Sequence, residues 1–250
     1  MRKSHFTFFI HALIFISLLC FSSWSLYALD DWEVSLDKAP SGKYDFLVYA
    51  VSWNPGFCAT QKPIIKNCAN EFKVHGIWPY YKTDGRDNIR NYHPSYCYNS
   101  RGCHSFTDCD ISANTIKEIQ QDKTLSGLYP SNDNLFKHEW KKHGTCSGLK
   151  QFQYFKQAQK YKDSAFPYLR NLFNFIKRHK NESVSVSDLR KQLPKNISLW
   201  CKQYNGKNYL YEVNFFITRK DKQFLNTNTQ IGDPCTNQVT LAWSDFKIAK

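Results

Sequence analysis

The sequence predicts an α+β fold, a central antiparallel sheet packed against several helices in a single disulfide-linked domain. Two observations carry the fold class: strand-like apolar segments lie towards both ends of the chain, and helical segments lie between them. A third, an even set of eight cysteines once Cys20 is removed with the leader, carries the disulfides. Aromatic residues make up 16% of the chain and are spread along it, so they can supply a real core.

Residues 1–28 are read as a secretory signal peptide. Arg2 and Lys3 precede an apolar run from Phe6 to Leu19, extended with serines to Leu29, and cleavage is expected near Ala28. The apolar core is shorter than the ~20 residues a spanning helix wants, which disfavours an uncleaved anchor. A lipoprotein reading of Cys20 is disfavoured by Leu18 and Leu19, where small residues are expected. Residues 29–250 then form one domain with no repeat, linker or low-complexity stretch. The net charge of +13, of which Arg2 and Lys3 supply two, favours polyanionic partners, although basic charge alone does not name nucleic acid.

Tyr44 to Trp53 mixes aromatic and β-branched residues as a buried strand does, and Asn54, Pro55 and Gly56 end it. Phe72 to Trp78 reads as a second strand. Alternation puts Phe72, Val74, Gly76 and Trp78 on one face and Lys73, His75 and Ile77 on the other. His75 there is either an ordinary strand histidine or a functional group, and Gly76 beside it leaves room for a close approach. Residues 80 to 110 form a long loop held by cysteines, a length that tends to be functional.

Ser112 or Asn114 is expected to cap a helix running to about Lys123, and Leu135 to His143 to form a short one. Phe152 to Tyr161 and Pro167 to His179 read as two further helices, and a cap at Ser187 starts another that runs to Leu193. Ile197 to Cys201 and Tyr209 to Thr218 are expected strands joined by a turn at Asn205 and Gly206, with Val239 to Trp243 a last strand.

The densest chemistry lies in Asn134 to Cys146, NLFKHEWKKHGTC. On a helix, His138 lies beside Lys142 and Glu139 beside His143, with Trp140 turned elsewhere and Gly144 as a stop. The bland reading is a solvated face. The zinc-protease reading fails on spacing, since that motif needs two His one turn apart around a Glu and here they stand five positions apart. Structural zinc is disfavoured because the chain has no C-x-x-C pair.

His75-Gly-Ile-Trp-Pro79 and His138-Glu-Trp-Lys-Lys-His-Gly-Thr-Cys146 together resemble the two active-site segments of the ribonuclease T2 family, the acid transferase-type endoribonucleases. Tyr44 to Cys58 resembles that family's first core strand, with VSWNPGFC closer to exported bacterial members than to the plant type, and the likeness extends to Cys235. It implies cleavage of single-stranded RNA by the ribose 2′-hydroxyl, giving 2′,3′-cyclic phosphate and then 3′-phosphate ends. His143 would be the base and His75 the acid, His138 would bind phosphate, and Lys142 and Glu139 would assist the transition state. Trp78 matches a base-stacking position, and stacking tolerates any base; a core role is the alternative. Lys141 is left to solvent.

The resemblance also suggests pairing Cys58 with Cys68 and Cys201 with Cys235, and leaves Cys146 to bridge to Cys97, Cys103 or Cys109. It implies no cofactor and no metal, a monomer secreted or held in the periplasm, and no membrane contact after signal cleavage. Two competing classes are an RNA-binding or host-interacting protein that keeps the fold without catalysis, and a zinc hydrolase.

Overall fold

The computed structural model describes residues 40–82, 94–103, 109–219, 224–225, 227 and 229–245; the expected signal peptide and part of the loop between 80 and 110 lie outside them. In chain order the elements are β1 (Phe46–Trp53), α1 (Asn54–Ala59), β2 (Phe72–Tyr80), α2 (Ala113–Gln121), α3 (Lys123–Leu128), α4 (Asp133–Lys142), α5 (Gln151–Arg178), β3 (Ser183–Ser185), α6 (Val186–Arg190), β4 (Ile197–Tyr204), β5 (Lys207–Thr218) and β6 (Gln238–Thr240). The predicted mixed architecture is the one observed. β1 pairs antiparallel with β2 and β5, β4 pairs antiparallel with β5, and β6 meets β5 in parallel at Tyr209 and Thr240 while pairing antiparallel with β3.

Alternation on β1 sends Leu47, Tyr49, Val51 and Trp53 into the large core shared with the helices, and Phe46, Val48 and Ala50 into a smaller cluster on the other face. On β5, Val213, Phe215 and Ile217 join the large core, while Phe216 joins the smaller cluster. Simple alternation fails on β2. The register shifts so that Ala50 faces Gly76 and Val51 faces Val74, leaving His75 as the extra residue of a β-bulge. Val74 and Ile77 therefore share the helix-side core, while Trp78 turns to the opposite face with Tyr80, so the expected grouping of Phe72, Val74, Gly76 and Trp78 does not hold. A second bulge between Trp200 and Cys201 leaves Tyr211 unmatched beside Glu212.

The helices differ from expectation in detail. Ser112 caps α2, its hydroxyl accepting from Thr115 N–H, but Asp122 then caps a separate α3 by accepting from Thr124 and Leu125. The two helices expected over 152–179 are one helix, α5, which runs through Pro167. An internal proline costs about 3 kcal/mol. One stripe spanning it, with Phe155, Ala158, Ala165, Leu172 and Ile176 fully buried, offsets that at about 1.5–3 kcal/mol per large apolar side chain. The cap of α6 is Ser185, which accepts from Asp188 N–H, two residues before the expected Ser187. Asn205 and Gly206 adopt φ of +48° and +72°, the left-handed pair a two-residue hairpin wants.

Four disulfides join Cys58 to Cys68, Cys97 to Cys146, Cys103 to Cys109 and Cys201 to Cys235. Cys97 is thus the partner of Cys146, and Cys103 and Cys109 pair with each other. Among the described residues no helix is long and apolar enough to cross a membrane.

Candidate active site

Two elements meet at the site: the bulged β2, carrying His75 and Trp78, and α4 with the residue that follows it. Asn132 caps α4, its side chain accepting from Asn134 and Leu135. Phe136 and Trp140 anchor the helix in the large core, and the Trp140 indole N–H donates to the Cys109 carbonyl at 2.8 Å. That anchoring turns Glu139 towards β2. His143 closes the last turn, its N–H donating to the Glu139 carbonyl at 3.1 Å. Gly144 follows without a left-handed φ, so it is not the C-terminal stop the sequence suggests. Its hydrogen is needed for space, because a Cβ there would lie 2.4 Å from Cε3 of Trp140.

The loop carrying Cys97 lies over the end of α4. Tyr96 N–H donates to the Lys142 carbonyl at 2.9 Å and Cys97 N–H to Thr145 Oγ1 at 3.1 Å, beside the Cys97–Cys146 bridge. Lys142 and His143 are thereby buried, while Lys141 points outward and pairs with Asp110 at 3.0 Å, as its exclusion from the site requires.

His75 lies between two carboxylates. Its Nδ1 is 2.6 Å from Oε2 of Glu212 on β5, and its Nε2 is 3.5 Å from Oε1 of Glu139. Glu212 is fully buried and Glu139 is 1% exposed, whereas the His75 side chain keeps 26% exposure and can meet a substrate. Burial alone would lower the His75 pKa. The charge and hydrogen bond of Glu212, with the charge of Glu139, outweigh it and Lys142, and carry the imidazole up to about 9. Burial pushes Glu139 up to about 7, against the opposing pull of His75, the Trp78 hydrogen bond and Lys142.

Trp78 ties the halves together. Its indole N–H donates to Oε2 of Glu139 at 2.9 Å, its ring stacks on His143 with centroids 5.3 Å apart, and the His75 ring meets it edge-on at 5.2 Å. Gly76 makes the junction possible, since a Cβ there would lie 1.9 Å from Oε2 of Glu139. The close approach expected at Gly76 is therefore made by a carboxylate. His138 stands edge-on to His143 at 6.0 Å. All six residues singled out in the sequence, His75, Trp78, His138, Glu139, Lys142 and His143, fall in this region.

Glu212 is the member that sequence reasoning missed. It lies on a strand otherwise read as core, and its only signal was a lone carboxylate in the run Leu210 to Ile217, where an unpaired charge is costly. Ligand atoms of His138, Glu139 and His143 lie within 4.8 Å of one another, so these three residues could gather a cation although their spacing is not that of a zinc protease. An apolar cavity of about 310 Å³ lies elsewhere, between Tyr49, Val51, Val74 and Phe173, and shares no residue with the site.

Comparison with known proteins places the arrangement in context. A family model described as the ribonuclease T2 family matches residues 44–231. A ribonuclease of Aeromonas hydrophila is 33% identical over 123 residues, 48% of this chain and 46% of that protein, so the match spans about half of that relative's length. The intracellular ribonuclease LX of Solanum lycopersicum is 28% identical over 74% of this chain and 78% of its own. A ribonuclease-like storage protein of Panax ginseng is 23% identical over 88% of this chain and 86% of its own. Among solved structures, ribonuclease MC1 from bitter gourd seeds superposes with a TM-score of 0.60 at 20% identity, covering 79% of this chain and all of that one. RNase NT, solved with 5′-AMP, gives 0.58 at 21% identity, covering 79% of this chain and 98% of that one.

Proposed function

Because the chain belongs to the ribonuclease T2 family and is a ribonuclease of that class, we propose that the site cleaves single-stranded RNA by transesterification without a metal ion. His143 takes the proton from the ribose 2′-hydroxyl as that oxygen attacks phosphorus. His75 gives its Nε2 proton to the departing 5′-oxygen, leaving a 2′,3′-cyclic phosphate. Water then opens the ring to a 3′-phosphate with the two histidines exchanging roles. The requirement for a 2′-hydroxyl makes DNA resistant.

The observation that carries this reading is the flanking of one indole by two imidazoles, His75 at 5.2 Å and His143 at 5.3 Å. The Glu212 carboxylate beside one of them, His75, draws its pKa up to about 9. A scheme with an acid and a base needs two titrating groups in opposite states. His138 and Lys142 supply positive charge for the phosphate. Glu139, raised to about 7, is a neutral carboxyl on the acid side of that value, and so can donate a hydrogen bond to a non-bridging oxygen as negative charge develops. Activity is therefore expected to peak below neutrality.

Trp78, at 4% exposure and covered by His143, offers a base little free face. Its substrate-binding role requires the His143 ring to turn aside. Stacking tolerates any base, so broad specificity is part of this reading. Four disulfides support work in an oxidising compartment. In this reading residues 1–28 direct export to the periplasm or the medium, and residues 29–250 act as a monomeric catalytic domain.

The test is digestion of a defined single-stranded RNA in EDTA with mass spectrometry of the ends. Cyclic phosphate termini and undiminished rates are expected; loss of activity to the chelator, restored by a divalent metal, would overturn the metal-free scheme. The similarity to a storage protein favours one other reading, a fold retained without catalysis. A biological effect that survives the double replacement of His75 and His143 would support it.

A further inference from the structure

We propose that Glu212 is the positioning residue of this site, a buried carboxylate that keeps a proton on Nδ1 of His75 and so assigns proton transfer to Nε2. The inference rests on the role given to His75 above. Glu212 Oε2 accepts at 2.6 Å from Nδ1 and at 3.2 Å from the Ser52 hydroxyl, and the side chain has no solvent exposure. A desolvated carboxylate at that distance favours the tautomer and the cation that both place hydrogen on Nδ1. The proton that comes and goes is then the one on Nε2, the nitrogen 3.5 Å from Oε1 of Glu139 on a side chain that keeps 26% exposure.

The backbone supports the assignment. His75 is the extra residue of the β2 bulge, and Glu212 sits next to the extra residue Tyr211 of the β4–β5 bulge, so two irregularities on strands flanking β1 aim these side chains at each other. Bulges of this kind re-aim a side chain. Ser52, which faces Glu212 across the β1–β5 ladder, donates its hydroxyl to the same Oε2. The charged and titratable groups acting on the pair are Glu139 and Lys142 from α4, and Tyr211 beside Glu212, while His143 lies beyond Trp78, stacked on its ring. Among the influences that raise the His75 pKa, the charge and hydrogen bond of Glu212 are the largest.

The experiment is an NMR titration of ¹⁵N-histidine-labelled protein, full length and in Glu212→Gln, beside pH–rate profiles of both. In the unmodified protein, Nδ1 of His75 is expected to stay protonated while Nε2 titrates; an Nδ1 that loses its proton first overturns the proposal without any substitution. In Glu212→Gln the His75 pKa is expected to fall by at least one unit, and the alkaline limb of kcat/KM to move towards acid with it. The rate should then drop about eightfold or more near pH 9.5, where a one-unit fall from about 9 takes most of the remaining proton from His75, and less than about threefold near pH 4.5. Glu212→Asp should recover part of both shifts. A purely structural role predicts a uniform loss at every pH with an unchanged His75 titration, and that result would overturn the proposal. If the titration shifts and the rates do not follow, Glu212 keeps its role and the acid assignment of His75 fails instead.

Discussion

The two faces of the sheet are built from alternate residues of the same strands, yet they do different work. The helix-side face is apolar: Tyr49, Val51, Val213, Phe215 and Ile217 lie against Phe155, Ala158, Leu172 and Ile176. The opposite face begins as a small apolar cluster around Phe46, Val48 and Phe216, then turns polar where Ser52, Glu212 and His75 meet. The helix-side face gains stability from burial and tolerates no charge. The site face buries a carboxylate and reaches it with an imidazole, an arrangement that costs stability unless paired and shifts pKa values when it is. Stability and chemistry are separated by one residue of strand period, and the bulge at His75 brings Trp78 round to the face that carries that histidine.

The sharpest way to break the comparison is to remove one group from each face. His143→Ala should lower the rate on single-stranded RNA by about 10²–10⁴-fold with little change in melting temperature, and His75→Ala should lower it as far while also losing stability, because it leaves the buried Glu212 carboxylate unpaired. Full activity in either variant would sink the assignment. Phe155→Ala on the helix side should do the reverse. It removes a fully buried ring packed edge-on to Tyr129 and Phe136, and urea unfolding should show a loss of about 3–5 kcal/mol with the folded fraction still active.

Gly76→Ala tests the junction. The added methyl would displace the Glu139 carboxylate and the Trp78 indole, so a loss of about 1–3 kcal/mol from overpacking should come with a rate reduction of roughly tenfold. A variant with wild-type rate would mean that Glu139 does not need its present place.

The smallest effect concerns pH. Glu139 is raised from 4.5 to about 7 and His75 from 6.5 to about 9, so between these limits the folded chain holds more protons than the unfolded one. Their contribution to stability is fully present below about pH 4.5 and is lost as pH rises through 7 and then 9. Thermal unfolding followed by circular dichroism should show a melting temperature lower by at least about 5 °C at pH 9 than at pH 5. Glu139→Gln should flatten the part between pH 4.5 and 7. An unaltered slope in that variant would contradict the raised carboxyl.

Local period, turn chemistry and two compact motifs make the fold class, the β1 and β5 strands, the Asn205–Gly206 hairpin and the six candidate site residues legible in the sequence. The tertiary structure decided the rest. The bulge that reverses the faces of β2 is invisible to alternation, since period-two counting assumes no inserted residue. Pro167 favours a helix start by local rules because its cost is real, and burial on both sides of it, which no local rule sums, keeps α5 whole. Cys97 became the partner of Cys146 only when its loop was laid over the end of α4. Glu212 stands 137 residues from the histidine it holds, a separation at which only sheet pairing brings two side chains together.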